Sequence, residues 1–433
     1  MQAFLAAKKI RKEVMKQIIY LAFLYLSVVS CRTSIKTEER TELTGTKIAL
    51  ASKGTFGYDL AFLQEYDSVI VLSNPAQQAQ IIVSPRLQGR VMTSTSQGSD
   101  GKSYGWVNYE LIASRAFQPH INAFGGEDRF WLGPEGGQFS IFFKKGDPFD
   151  LTHWQTPVAV DTESFQVISH SPDRVQLRKD MEVQNYSGAS FQLRVNRSVR
   201  LLSEIDISKL LAYSLTDSIK AVGFESDNRI TNIGTQAWEP SSGLVSVWIL
   251  GMFRPSPATT IIIPIKEGSE QELGPPVNDR YFGKVPDDRL DVQGKVLYFK
   301  GDGQQRGKIG VPFNRAKPML GSYDAQQGIL TIVQFNLPET PSTYVNSLWE
   351  IQKDPFSGDV INSYNDGPAE PGAKPMGPFY ELETSSPAAA LAPGRSLSHV
   401  HRTFHFEGPM EELDKLCQAT LGVPLQEVVK ALL

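Results

Sequence analysis

Apolar and polar residues alternate along much of the chain from about Leu60 to Glu407, with the two-residue period of half-buried β-strands. Strand-like runs recur at VIVL (69–72), QIIVSP (80–85), GRVMTST (89–95), SFQVISH (164–170) and DRVQLRKDMEV (173–183). They continue at FQLRVNRSVRLL (191–202), GLVSVWILGMF (243–253), TTIIIPI (259–265), KVLYFK (295–300) and GILTIVQF (328–335). Gly, Pro, Asn, Asp and Ser fill the breaks, as turns between strands require. In FQLRVNRSVRLL the residues Phe191, Leu193 and Val195 share one parity with polar residues between them. GLVSVWILGMF is apolar on both faces and predicts a strand covered from both sides.

A helical period is clear only at the end, where 409–433 predicts two short helices. Leu413, Leu416, Cys417 and Leu421 form one stripe, and Gly422 and Pro424 mark the break. Many strands without alternating helices predict an all-β fold, a large antiparallel β-sandwich over 60–408 with a short C-terminal helical segment. No repeat of a few tens of residues suggests a propeller. The segment 268–294 reads as a long surface loop, with a domain boundary as the alternative.

The N-terminal pattern is different. Lys8, Lys9, Arg11, Lys12 and Lys16 precede the apolar run IIYLAFLYLSVVS, which ends at Cys31. A basic stretch, a short apolar stretch and a small residue before the break read as a secretory signal over 1–30. The run is too short for an ordinary membrane span, and an uncleaved anchor is the alternative. VVSC (28–31) resembles a bacterial lipobox, which implies lipidation of Cys31, attachment to the membrane, and a place in the bacterial cell envelope. Met15 would begin a more typical signal. A polar, mixed-charge tether is expected over 31–59.

Composition narrows the function classes. The 433-residue chain is 41% hydrophobic with net charge −4, suiting a globular protein with no nucleic-acid partner. Its two cysteines are Cys31 and Cys417, so lipidation of the first leaves no internal pair. The sequence patterns of serine hydrolases, P-loop enzymes, zincins and Rossmann enzymes are absent.

Four segments carry candidate chemistry. In YELET, Glu381 and Glu383 share a strand face, where one could act as a general base; solvated carboxylates are the plainer reading. In SHVHRTFHF (398–406), His399, His401 and His405 share a face, suited to proton transfer or to sugar binding. Metal binding is the weaker reading there, because nothing completes a ligand set. The third segment, AFGGEDRFWLGPEGGQFSIFF (123–143), sets Glu127, Asp128, Arg129 and Glu135 among glycines. Arg129 could grip an acidic sugar or pair internally, and Trp131 reads as a core residue. Lastly, NSYNDGP (362–368) is a turn lining a cleft, where Asn365 and Asp366 offer oxygens to Ca²⁺. The expected cofactor is nevertheless none.

GRVMTST, TNIGTQAW (231–238) and the closing segment YELETSSPAAALAPGRSLSHVHRTFHFEG (380–408) together resemble the galactose mutarotase-like β-supersandwich. GGEDRFWLGPEGG and SYNDGP are similar to signatures of uncharacterised bacterial lipoproteins of the Bacteroidetes type. The resemblance implies a concave sheet face that binds a carbohydrate; if that face is catalytic, the residues themselves suggest Glu383 or Glu381 as base and His401 or His399 as acid. Arg129, Glu127, Asp128, Glu135, Asn232, Asp366 and His405 would then contact the ligand. One departure stands out: aldose mutarotases carry a histidine after the Thr-Asn pair, and here Ile233 follows Asn232. Isomerisation and cleavage of a sugar are the chemistries this arrangement suggests. A two-carboxylate glycosidase and a binding lipoprotein without catalysis are the other readings.

Overall fold

The computed structural model describes residues 51–370 and 372–432. The signal segment, Cys31 and most of the tether lie outside them. The tether drawn to residue 59 ends sooner, because Phe56–Tyr66 is a helix capped by the Thr55 side chain.

The strands are, in chain order, β1 (Ile70–Ser73), β2 (Gln80–Ser84), β3 (Arg90–Thr95), β4 (Arg129–Gly133), β5 (Gln166–Ser171) and β6 (Arg174–Gln184). Then follow β7 (Ser190–Leu201), β8 (Lys220–Asn232), β9 (Ser246–Phe253), β10 (Thr259–Pro264), β11 (Leu290–Gln293) and β12 (Val296–Lys300). The last are β13 (Gly307–Pro312), β14 (Met319–Asp324), β15 (Ile329–Phe335), β16 (Asp359–Asn365), β17 (Tyr380–Ser385) and β18 (Ser396–Glu407).

They form the expected antiparallel all-β architecture. A ten-stranded sheet has the order β11-β12-β10-β14-β15-β18-β8-β7-β6-β5, and a five-stranded sheet the order β13-β16-β17-β9-β4. A three-stranded sheet, β1-β2-β3, adjoins β4 through a bridge between Val91 and Asp128. Because β11 is the edge strand of the large sheet, 268–294 is part of the sandwich and not a boundary; Lys53–Leu433 form one compact unit.

Apolar side chains of one parity fill the space between the two larger sheets, among them Val195, Phe224 and Ile249 toward one end and Ile261, Phe299 and Leu382 toward the other. Part of the outer face of the large sheet is also buried, while β5 and β6 keep theirs exposed. Tyr298, Leu330, Phe404 and Phe406 pack there against helices Glu204–Leu211, Met410–Leu421 and Leu425–Lys430. The Leu413, Leu416, Cys417 and Leu421 stripe faces this layer, and Gly422 ends the longer helix at φ +77°.

This layering decides where the histidines go. On β18, Phe404 and Phe406 face the helices, so His399, His401 and His405 face the inside of the sandwich, where all three are buried. The Thr384 hydroxyl lies 2.8 Å from both His399 Nε2 and His401 Nδ1. A single hydroxyl donates to one ring and accepts from the other, which serves two neutral imidazoles. Burial lowers His399 to about 3, helped by its neighbour His401, and lowers His401 to about 4.

Folded pKa values below the unfolded value make the contribution of these rings fully present above about pH 6.5. It is then lost as the pH falls toward 4, because the unfolded chain binds protons first. The stability advantage of the wild type over His401→Gln is therefore expected to shrink by about 1.4 kcal/mol per pH unit below pH 6. Urea unfolding of both proteins from pH 8 to pH 4.5 measures this. A difference that stays constant would contradict neutral burial of His401.

Candidate functional site

The outer face of the five-stranded sheet carries the other parity of its strands. The register sets Glu381 opposite Met252 and Tyr364, and Glu383 opposite Leu250 and Asn362. Arg129 lies opposite Leu250, Trp131 opposite Trp248, and Lys308 opposite Tyr364. Alternation thus gathers Arg129, Trp131, Trp248, Lys308, Glu381 and Glu383 on one surface, which loops convert into a cleft. Ile121, Leu151, Trp154, Phe282, Arg306, Trp349 and Met376 supply its walls.

Glycines bring these walls close. Gly125, at φ +94°, lies so near Trp106 that a Cβ would meet its carbonyl oxygen at 2.0 Å. This turn delivers the chain into β4. A Cβ on Gly136 would meet the Leu348 carbonyl oxygen at 2.4 Å, so only glycine lets the loop bearing Trp349 settle over Glu135. The GGEDRFWLGPEGG pattern is a device for close backbone packing on both sides of one cleft strand.

Two buried ion pairs stand at the floor. Arg129 Nη2 lies 3.0 Å from Glu381 Oε1, and its guanidinium sits 4.1 Å over the Trp131 ring. Lys308 Nζ lies 3.2 Å from Glu383 Oε2 and 3.8 Å from Glu135 Oε2, and 4.5 Å over the Trp248 ring. Trp248 donates its indole N–H to Glu383 Oε2 at 2.9 Å.

Burial opposes charge on Glu381, Glu135 and Lys308. It pushes Glu381 up to about 8, with the Glu383 charge adding to the rise and Arg129 and Lys308 resisting it. Burial and Glu383 also hold Glu135 above the usual carboxylate range, against the pull of Lys308. For Lys308, burial works downward but Glu383, Glu135 and Glu381 outweigh it, so its affinity for the proton rises. At neutral pH, Glu381 therefore carries a proton much of the time beside a fully charged Lys308.

Polar atoms without a partner concentrate here. Among the described residues, sixteen buried side-chain polar atoms lack a hydrogen bond, and seven belong to this site. They are Arg129 Nε and Nη1, the indole nitrogens of Trp131, Trp154 and Trp349, Glu135 Oε2 and Glu383 Oε1. Trp349 faces Glu135 closely enough to help hold its charge, though short of full hydrogen-bond geometry. Buried polar groups are costly to leave unmatched, so this concentration marks a surface shaped for something polar. Beyond Ile121 and Met376 the cleft continues into a groove of about 650 Å³ beside Trp106 and His120.

The residues singled out in the sequence divide accordingly. Glu381, Glu383, Arg129 and Glu135 converge. Trp131, read as core, is buried and also forms a wall of the cleft. His399 and His401 do not join them: they contact Thr384, whose side chain points to the opposite face of β17 from its neighbour Glu383. The acid–base pairing of Glu383 or Glu381 with His401 or His399 is thereby corrected.

His405 bonds Glu127 Oε2 at 2.9 Å and stacks on Tyr104, beside a separate cavity of about 350 Å³. Glu127 also accepts from the Ser94 backbone, and Asp128 pairs inside the sandwich with Arg197 and accepts from Ser226. Glu127 and Asp128 thus serve the interior, and only Arg129 of the triplet enters the cleft.

Asn232 pins its own loop through the carbonyls of Gln236 and Leu391. Asp366 accepts from Tyr364 and from the Gly377 backbone, tying the Met376 segment to the sheet, and burial raises it to about 6. The oxygens considered for Ca²⁺ are engaged by protein, since Asn365 Oδ1 accepts from Gly303. Sequence reading missed Lys308, Trp248, Trp154, Trp349 and Arg306. The apolar outer parity of β9 was the available clue to Trp248.

No curated protein matches the chain. Among solved structures it is similar to a putative aldose 1-epimerase from Escherichia coli K12, with 15% identity, 79% of this chain and 99% of that chain covered, and a TM-score of 0.44. It is similar to a galactose mutarotase-like protein from Lactobacillus casei, with 11% identity, coverage of 78% and 100%, and a TM-score of 0.45. A galactose mutarotase related enzyme from Lactobacillus acidophilus gives 8% identity, coverage of 79% and 98%, and a TM-score of 0.42. Residues 54–432 match the family described as Family of unknown function (DUF6786), and the chain belongs to that family.

Proposed function

We propose that the protein binds a carbohydrate in the cleft on the outer face of its five-stranded sheet. The observation that carries this reading is the meeting of Trp131, Trp154, Trp248 and Trp349 with buried, incompletely hydrogen-bonded Arg129 and Glu135, with Glu383 held behind Lys308. Aromatic walls with a few fixed polar groups suit a sugar ring, which offers apolar C–H faces and a rim of hydroxyls.

Glu381 supplies the chemistry in this reading. A carboxyl that holds its proton near neutrality can give it to a sugar oxygen and take it back. Such exchange serves isomerisation or cleavage of the sugar. A second reading, binding without turnover, is favoured by the engagement of Glu381 with Arg129 and of Glu383 with Lys308. In either case, lipidation at Cys31 would hold the cleft at a membrane of the bacterial cell envelope.

Thermal-shift measurements with neutral sugars and uronic acids at millimolar concentration test the proposal. Binding to the folded state raises the melting temperature, and Trp131→Ala is expected to abolish the shift. No shift with any sugar would overturn it. For a sugar that binds, NMR of the mixture separates the two readings: conversion lost in Glu381→Gln supports catalysis, and unchanged sugar with the wild type supports binding alone.

A further inference from the structure

We infer that the ligand of this cleft is an acidic sugar whose carboxylate docks on the Arg129 guanidinium. The inference rests on the carbohydrate reading above and names the class of sugar. Arg129 is 2% exposed, yet only Nη2 has a partner; Nε and Nη1 are buried without one. A guanidinium has five N–H donors in a planar fork, matched by a planar carboxylate. Trp131 covers one face of that plane at 4.1 Å and so holds the fork in a fixed orientation.

The balance of charge points the same way. The cleft has three cationic side chains, Arg129, Lys308 and Arg306. Lys308 is matched by Glu383 and Glu135, and Arg129 by the single carboxyl of Glu381. Arg306 lies 3.7 Å over the Phe282 ring at the wall and has no carboxylate within ion-pair distance among the described residues. Arg306 thus remains at the wall to meet an acidic ligand held by Arg129. A neutral sugar offers these cations no charge-assisted acceptor, whereas one carboxylate can accept from the free Arg129 donors.

Calorimetric titration of galacturonate, glucuronate and mannuronate, each beside its neutral methyl ester and the corresponding 6-sulfated hexose, tests this. At least one uronate is expected to bind about tenfold or more tightly than its ester. In Arg306→Ala, a variant at the wall that leaves the buried pairs intact, that acid-over-ester ratio is expected to fall by about two- to threefold and to persist. Arg129→Gln should remove the ratio altogether, provided circular dichroism shows the variant folded. Equal binding of acids and esters would overturn the inference while leaving the carbohydrate reading in place. Tighter binding of the sulfated sugar would overturn the carboxylate, and absence of binding by all of them would overturn the carbohydrate reading itself.

Discussion

Asp128→Ala is expected to destabilise the fold by about 3–5 kcal/mol without touching the cleft. Asp128 and Arg197 both have fully buried side chains, and their ion pair joins the residue just before β4 of the five-stranded sheet to β7 of the large sheet. Truncation leaves the Arg197 guanidinium with the carbonyls of Gly89 and residue 128 and the Asn228 side chain but with no counter-charge. The Ser226 hydroxyl loses its acceptor as well. An uncompensated buried charge is far more costly than the pair is beneficial, so the double variant Asp128→Leu/Arg197→Met should recover much of the loss. Urea unfolding of the three proteins decides it. A single-variant cost below about 1 kcal/mol, the range of an exposed pair, would mean that water reaches this pair.

Lys308→Met should be nearly as damaging, about 3–5 kcal/mol near neutral pH, for a reason that lies in the cleft. Among the described residues it strips from Glu383 and Glu135, both buried at the floor, the one cation within ion-pair distance. The cost has a definite pH dependence. Glu135 is already held above the usual carboxylate range, so a proton can replace the lost cation as the pH falls. The variant should therefore lie closer to the wild type at pH 5 than at pH 8, and Lys308→Met/Glu135→Gln should recover part of the deficit. A cost that is the same at both pH values would show that Lys308 acts through packing on Trp248 and not through charge.

Strand period and turn chemistry made the sandwich legible, because each strand repeats its pattern locally and a two-residue period assigns faces. Parity also put Glu381 and Glu383 together. It does not say which sheet a strand joins. β17 and β18 follow one another in the chain across a Pro-Gly turn, yet β17 pairs with β16 and β9 while β18 pairs with β15 and β8. The turn crosses from one sheet to the other, which leaves the carboxylates on the outer face of the five-stranded sheet and sets His399 and His401 against its inner face. Lys308 was invisible for a related reason. In the strand GKIGVP nothing local distinguishes a buried lysine from a solvated one, and its partners come from distant segments. The Glu127-Asp128-Arg129 triplet reads as one charged cluster, but its members serve two interiors and a cleft.

Intrinsic fluorescence gives the most direct test of the cleft as the binding site, since Trp131, Trp154, Trp248 and Trp349 are four of the chain's six tryptophans. Titration with a sugar that binds by calorimetry is expected to shift or quench the emission saturably, at the calorimetric affinity, and Trp131→Phe should reduce the amplitude. Calorimetric binding that leaves the emission unchanged would place the ligand elsewhere on the molecule and contradict the assignment.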